Sequence, residues 1–336
     1  MKKIKVAQIG TSGNSHGQSI FASMAKQSDI FEIVGYALPE NEREKFPNRM
    51  EVFNGYKEMT VDEILNDPEI EAVAVETEEI YLTKYATLVA KSGKHMHMEK
   101  PGGTNLADFE NMINIMKKSG KVFHTGYMYR YNPAVMKVKE LVKSGKLGEI
   151  YSVETHMDCI HPTDVRQWLE NFPGGMLFFL GCHLIDLIFS IQGTPEEIIP
   201  MSMATGIDGV TAKDYGMAVF KYKNGISFAK TSASEPGGFL RRQLVVCGSK
   251  GTIELKPLEA YDEKGLVMTS MFEYYSEKDT DWGRKWDESE SPHADRYDNM
   301  MRGFASYVRG EKENPWNYDY ELELYKIILK ACGEKA

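Results

Sequence analysis

The sequence predicts an α/β protein in two domains, and three observations carry that expectation. At 336 residues the chain exceeds the size at which a single core usually stops growing. Up to about residue 125 it alternates short apolar strands with helices, the pattern of a parallel sheet covered on both faces. Beyond that point strands dominate and are joined by glycine turns such as KNG and GSKG, which marks an antiparallel sheet. The expected domains are therefore 1–125 and 126–336, with the last helix able to pack back on the first.

Each element follows from local pattern. Ile4 to Ile9 is an apolar strand running into GTSGNSHG, with a helix beginning after Asn14. FEIVGYAL is a second strand, followed by a charged helical segment, and EAVAVET is a third. A helix from about Ile80 to Lys91, the strand HMHM, a helix from Asn105 to about Lys118 and the strand KVFHTG complete the first half. After GYMYRYNPA comes a helix from Pro133 to Ser144. Strands then follow at EIYSVETHMD, near Ile198, and at Tyr215–Tyr222, Ile226–Ser232, Gln243–Cys247 and Thr252–Leu255. Ser276 to Pro292 is expected to be a surface loop carrying Trp282 and Trp286, and helices from His293 to Val308 and Tyr320 to Ala331 close the chain.

A formal net charge of -9 argues against nucleic-acid and anionic membrane partners, which would repel the protein at long range. No apolar run approaches the roughly 18 residues of a membrane span, and the first apolar run breaks too early for a signal peptide, so the expected location is the cytoplasm. Four scattered cysteines, without a C-x-x-C pair, are expected to be reduced, and no metal site is predicted.

In a parallel sheet, ligands gather beyond the carboxyl ends of the strands, where helix N-termini present unpaired N–H groups. Gly10, Gly13 and Gly17 fall there, spaced G-x-x-G-x-x-x-G, looser than the usual dinucleotide fingerprint. Gly10, Thr11, Gly13, Asn14 and Ser15 of this turn, with Thr77 after the third strand, are the cofactor-binding candidates. The acidic residue that usually ends the second strand is missing. Glu40 and Glu42 are the nearest carboxylates, and Glu40 on the adenosine ribose would put NAD ahead of NADP. The sequence HMHMEKPGG places Lys100 at the end of a late strand between Glu99 and Pro101. The proline restricts Lys100 to an extended backbone, so its ammonium is aimed rather than free.

E-K-P at Glu99 to Pro101, G-x-x-x-R-x-x-P at Gly126 to Pro133 and G-G-x-x-x-x-x-G-x-H-x-x-D at Gly174 to Asp186 resemble the glucose-fructose oxidoreductase, inositol dehydrogenase and rhizopine-catabolism family, over nearly the whole chain. The resemblance implies a Rossmann domain, a C-terminal α/β domain with an open, mainly antiparallel sheet, and NAD(P)-dependent oxidation of a sugar, inositol or related polyol. It implies that Glu99, Lys100 and Pro101 lie at the cofactor, that Lys100 contacts the substrate hydroxyl, and that His183 takes the hydroxyl proton. It also implies a homodimer or homotetramer, since the open sheet face in this family commonly packs on another subunit. Imidazole suits proton transfer near neutral pH, and an ammonium stabilises a developing alkoxide.

One departure stands out. Dehydrogenases of the family usually carry an aspartate four residues before the histidine, where this chain has Phe179. If one helix ran through both, Phe179 would lie beside His183 and desolvate it. Asp186, one turn on, is a candidate to orient the ring or to hold substrate. On the strand ETHMD, alternation puts Glu154, His156 and Asp158 on one face, a polar row suited to sugar hydroxyls, with a wet sheet face as the plain alternative. Arg166 and Trp168 are further substrate candidates, while Arg130 reads best as a structural tie. Three functions fit: a polyol dehydrogenase using Lys100 and His183, a redox-neutral sugar-modifying enzyme with tightly held NAD, or a nucleotide-binding regulator without turnover.

Overall fold

The computed structural model describes residues 2–277 and 286–335, and these divide into two compact units. The first contains residues up to 127 together with 297–325; the second contains 128–296 and the residues from 326 on. Residues 297–325, which follow the second unit's sheet in sequence, cluster with the first unit.

In the first unit the chain runs β1 (Ile4–Ile9), α1 (Gly17–Lys26), β2 (Phe31–Ala37), α2 (Glu42–Lys45), α3 (Val61–Asn66), β3 (Ala72–Val75), α4 (Leu82–Ser92), β4 (His95–Met98), α5 (Leu106–Ser119) and β5 (Phe123–Thr125). All five strands are parallel, in the order β2-β1-β3-β4-β5. All four residues of β3 are buried, as expected for a strand covered on both faces. The strand order reverses between β1 and β3, so the loops leaving them diverge and open a crevice at their carboxyl ends. Helix ends are set by side chains. Thr60 and Glu63 form a reciprocal capping box on α3, and Asn105 accepts the Asp108 N–H at 3.1 Å on α5, which stops at Gly120 in the left-handed region.

The second unit begins with α6 (Pro133–Lys143), whose Asn132 cap accepts two backbone N–H groups and whose first residue is proline. Then come β6 (Ile150–Asp158), α7 (Thr163–Trp168), α8 (Met176–Phe179) and α9 (Cys182–Gln192). The strands β7 (Glu197–Met203), β8 (Tyr215–Tyr222), β9 (Gly225–Ser232), β10 (Gln243–Gly248) and β11 (Gly251–Leu255) follow. β12 (Ala260–Tyr261) and β13 (Val267–Met268) pair as a separate ribbon, and β14 (Ser270–Tyr275) and β15 (Asp287–Glu290) complete the main sheet. Its order is β15-β14-β11-β10-β6-β9-β8-β7, with only β6 and β9 parallel. It is therefore a mixed, mainly antiparallel sheet. β6 turns Val153, Thr155 and Met157 into the core beneath α9.

β15 corrects the expected surface loop between 276 and 292. Its four residues, DESE, are all exposed, so no apolar alternation marks them, and their charges suit an edge that must not pair further. Trp282 lies outside the described residues; Trp286 is exposed, 6.3 Å from the Tyr274 ring centre. The chain ends with α10 (Asp298–Val308) and α11 (Tyr318–Ala331). No helix among the described residues is long and apolar enough to cross a membrane.

Candidate active site

The first unit gathers its candidates at the carboxyl ends of β1, β3 and β4. Gly10 leaves β1 with φ +91°, and a Cβ there would sit 2.4 Å from Thr77 Cγ2 and 2.6 Å from the Thr77 nitrogen. Only glycine fits that turn. Gln8 holds the loop from beneath, its amide donating to the carbonyls of Gly10 (3.0 Å) and Gly17 (3.1 Å). Asn14 donates its N–H to Ser12 Oγ at 3.2 Å, Ser15 Oγ accepts the Gly17 N–H at 3.4 Å, and Arg49 Nη2 donates to the Gly13 carbonyl at 2.5 Å. Thr11 Oγ1 is buried without a hydrogen-bond partner. A tight glycine turn at a switch point, ending in a helix N-terminus and carrying an orphaned hydroxyl, fits the pyrophosphate of a dinucleotide.

The acidic residues after β2 take different places. Glu40, in the left-handed region at φ +60°, pairs with Lys84 Nζ at 2.5 Å and accepts the Tyr85 hydroxyl at 2.7 Å; these hydrogen bonds hold its pKa below the usual value. Glu42 is fully buried and accepts the Thr11 N–H at 3.1 Å. Burial pushes its pKa up to about 9, so the carboxyl keeps its proton at neutral pH. Of the two, Glu42 is the one tied to the glycine loop.

Lys100 follows β4 and is 1% exposed, and the peptide bond to Pro101 is cis. Its Nζ lies 3.8 Å from Glu99 Oε1, which also accepts the Lys100 backbone N–H at 3.0 Å. Glu76 and Glu79, from the loop after β3, are fully buried in the same electrostatic neighbourhood. Desolvation raises Glu76 to about 8, and Glu79 and Glu99 to about 7, against the opposing pull of Lys100. His97, one strand residue below Met98, is fully buried and pushed down to about 4 by desolvation. The sequence reading named Glu42 only beside Glu40 and missed Glu76, Glu79 and His97. Their signal was present as acidic residues directly after an apolar strand and as the alternation His97, Glu99 in HMHME.

In the second unit, His183 sits in the first turn of α9, 1% exposed, with the Tyr129 ring edge-on at 5.4 Å and perpendicular. Tyr129 is fixed in turn. Its hydroxyl donates to Glu259 Oε1 at 2.5 Å, and the same carboxylate receives Arg242 and Arg296. Asp186 is held by Arg130, whose Nε and Nη2 donate to its carboxylate at 2.8–3.1 Å with both side chains buried. That contact gives Arg130 its structural tie.

Phe179 and His183 do not share one helix. α8 ends at Phe179 and α9 starts at Cys182, and between them Gly181 packs where a Cβ would lie 2.6 Å from the Leu177 carbonyl. Phe179 belongs to an aromatic cluster. Phe179 stacks on Phe172, meets the edge of Trp168 at 5.2 Å and lies 6.5 Å from the His161 ring centre. Arg166 is 3% exposed and bonded to the Ile207 carbonyl at 3.3 Å and to Asp208. With Ile160, His161, Thr163, Ile207 and Asp208 it lines a cavity of about 380 Å³. On β6, Asp158 is buried and accepts Lys230 Nζ at 3.1 Å, while Glu154 and His156 are half-buried. Burial, reinforced by Lys230, pushes His156 down to about 4.

Residues 4–127 match the family described as oxidoreductases with an NAD-binding Rossmann fold, and residues 135–254 match the GFO/IDH/MocA C-terminal domain. Among curated relatives, the oxidoreductase YhhX of Escherichia coli K12 is 32% identical over 142 residues, 41% of this chain and 40% of that protein. Myo-inositol 2-dehydrogenase of Thermotoga maritima is 25% identical over 258 residues, 75% of this chain and 74% of that protein. Among solved structures, levoglucosan dehydrogenase in complex with NADH and levoglucosan superposes with a TM-score of 0.80 at 16% identity, covering 99% of this chain and 98% of that one.

Proposed function

This chain belongs to the GFO/IDH/MocA family of NAD(P)-binding oxidoreductases, and we propose that it moves a hydride between a nicotinamide cofactor and a ring hydroxyl of a sugar, inositol or related polyol. The observation that carries this reading is Lys100, an almost fully buried ammonium at the carboxyl end of β4, in the domain whose glycine turn suits a dinucleotide. The relationship to myo-inositol 2-dehydrogenase supports the substrate class.

The loop Gly10 to Ser15 would hold the pyrophosphate on its N–H groups, with Thr77 packed against Gly10 to keep the turn closed. Bound there, the nicotinamide supplies the carbon that accepts or returns hydride. Glu42, bonded to the start of that loop, braces the turn, and Glu40 after β2 is the carboxylate for the adenosine ribose, a placement that favours NAD over NADP. Lys100 holds the substrate oxygen and stabilises the charge that grows on it as hydride leaves. His183 takes the hydroxyl proton, with Tyr129 fixing one side of its ring. The Arg166 cavity and the aromatic group Trp168, Phe172 and Phe179 offer a guanidinium beside an apolar wall, suited to a polyol with one less hydroxylated face.

Protein stripped of nucleotide and titrated with NAD, NADH, NADP and NADPH should bind the NAD pair at micromolar concentration. A polyol screen should then show turnover that drops about 10²–10⁴-fold in Lys100→Ala and His183→Ala. Absence of binding to all four nucleotides overturns the reading. Nucleotide binding with turnover unchanged in both variants overturns the assigned roles.

A further inference from the structure

β2 and β3 lie on either side of β1, and the segments that follow them meet in a group of four charges and two aromatic rings. Glu40 and Asn41 stand next to each other in the left-handed region, at φ +60° and +57°; among the described residues Asp208 is the one other non-glycine residue with positive φ. Two such residues in succession are uncommon, and here they turn the chain so that Glu40 reaches α4. Its Oε1 takes the Lys84 ammonium at 2.5 Å and the Tyr85 hydroxyl at 2.7 Å.

Lys84 has a second anchor. Its Nζ lies 4.9 Å from the ring centre of Tyr85 and 5.9 Å from that of Tyr81. Lys45, at the end of α2, lies 5.6 Å from the same Tyr81 ring and 3.4 Å from Glu78 Oε2. Each ammonium therefore has one carboxylate and at least one aromatic face, and the rings keep hold of an ammonium whose carboxylate is drawn away. The Lys84 side chain is 58% exposed and can turn, whereas Tyr85 is 6% exposed and cannot. The other bases after β2 are engaged elsewhere. Arg43 binds Glu58 at 2.5 Å and the Tyr36 hydroxyl at 3.2 Å, and Arg49 binds the Gly13 carbonyl and Gln18.

These charges bear on the choice between nicotinamide cofactors. A bare carboxylate at the adenosine ribose accepts the two free hydroxyls of NAD and repels the 2′-phosphate of NADP. Paired with Lys84 the same carboxylate repels less, and the ammonium is itself a phosphate ligand. We propose that Lys84 sets the cofactor selectivity of this chain, forming with Lys45 a phosphate-binding half of the ribose site, so that NADP is accepted beside NAD. With NAD, Glu40 accepts the ribose hydroxyls and keeps Lys84. With NADP, Lys84 turns from Glu40 to the 2′-phosphate, and Lys45 adds its charge from beside the Tyr81 ring. The inference rests on the placement of Glu40 at the adenosine ribose and deepens the hydride-transfer reading by naming what else that site takes.

The test is titration of full-length protein, stripped of nucleotide, with NADH and NADPH, and with 5′-AMP and adenosine 2′,5′-bisphosphate as fragments that carry only the ribose end. Wild type should bind NADPH no more than about tenfold more weakly than NADH, and Lys84→Met should weaken NADPH and the bisphosphate a further tenfold or more while leaving NADH and 5′-AMP within about threefold. Lys84→Arg keeps the charge and should retain NADPH, and Lys45→Met should show a smaller loss of the same kind. Salt gives a check on wild type alone. Screening should weaken NADPH more steeply than NADH if ammoniums hold the 2′-phosphate, and should favour NADPH relative to NADH if a bare carboxylate repels it. A salt response of the second kind, an equal response of the two, or a Lys84→Met protein whose NADH to NADPH ratio matches wild type overturns the proposal. Binding of neither dinucleotide instead overturns the hydride-transfer reading on which it rests, so the two failures are told apart.

Discussion

The carboxyl of Glu42 accepts the backbone N–H of Thr11 at 3.1 Å, joining the segment after β2 to the first residue of the glycine turn. Glu42→Ala should weaken NAD and NADP binding alike, about tenfold, an unpaired buried N–H costing about 1–3 kcal/mol. Glu42→Gln keeps an acceptor and should retain most of the affinity. Glu40→Ala removes the contacts to Lys84 and Tyr85 together with the ribose-binding carboxylate and should narrow the NAD to NADP preference. Calorimetric titration of the three variants checks the set.

Gly10→Ala should destabilise the first unit by at least about 2 kcal/mol, because it combines a positive φ with a Cβ 2.6 Å from backbone at Thr77. Urea denaturation measures it. The same change at Gly55, which has positive φ but nothing within 4 Å, should cost less.

The buried carboxyls set a pH limit on the fold. Glu42, Glu76, Glu79 and Glu99 are raised to between about 7 and 9, so above pH 4.5 the unfolded chain releases protons that the folded one keeps. The folded state then binds more protons, and stability falls as pH rises. His95 and His97, pushed down to about 4, act oppositely below pH 6.5, where only the unfolded chain protonates them. Stability should therefore fall from pH 6.5 to 9. Glu76→Gln should make that slope shallower by at most about 1.4 kcal/mol per pH unit. Thermal melts across this range give the slope.

Arg130→Ala should cost about 3–5 kcal/mol by leaving Asp186 charged and buried without its guanidinium partner. Arg130→Lys keeps a charge but loses the fork and should fall between wild type and Ala. Because Asp186 and His183 share α9, polyol turnover should fall along with stability in this series.

Much of the first unit was legible because its strands are buried on both faces and its helices are bounded by capping residues and glycines. The break between Phe179 and His183 was not. Nothing in MLFFLGCHLID interrupts helical periodicity except Gly181, and a single glycine does not by itself mark a helix end. The acidic group around Lys100 escaped for a related reason. Glu76 and Glu79 look like ordinary solvated charges after a strand, and their burial becomes visible only when β3 and β4 are side by side. β15 went unseen because a fully exposed acidic strand has no apolar period to read.

The return of residues 297–325 to the first unit makes that unit discontinuous along the gene. Ser23 Oγ on α1 donates to Asp298 at 2.8 Å, Lys26 Nζ reaches the same carboxylate at 2.6 Å, and Thr125 at the end of β5 donates to Glu321. A fragment ending at residue 127 would have the whole parallel sheet but would expose the flank of α1 and the end of β5 that these later residues cover. A nucleotide-binding module therefore cannot be excised from this chain by a single cut, and a premature stop anywhere before residue 297 would damage the beginning of the protein as well as its end.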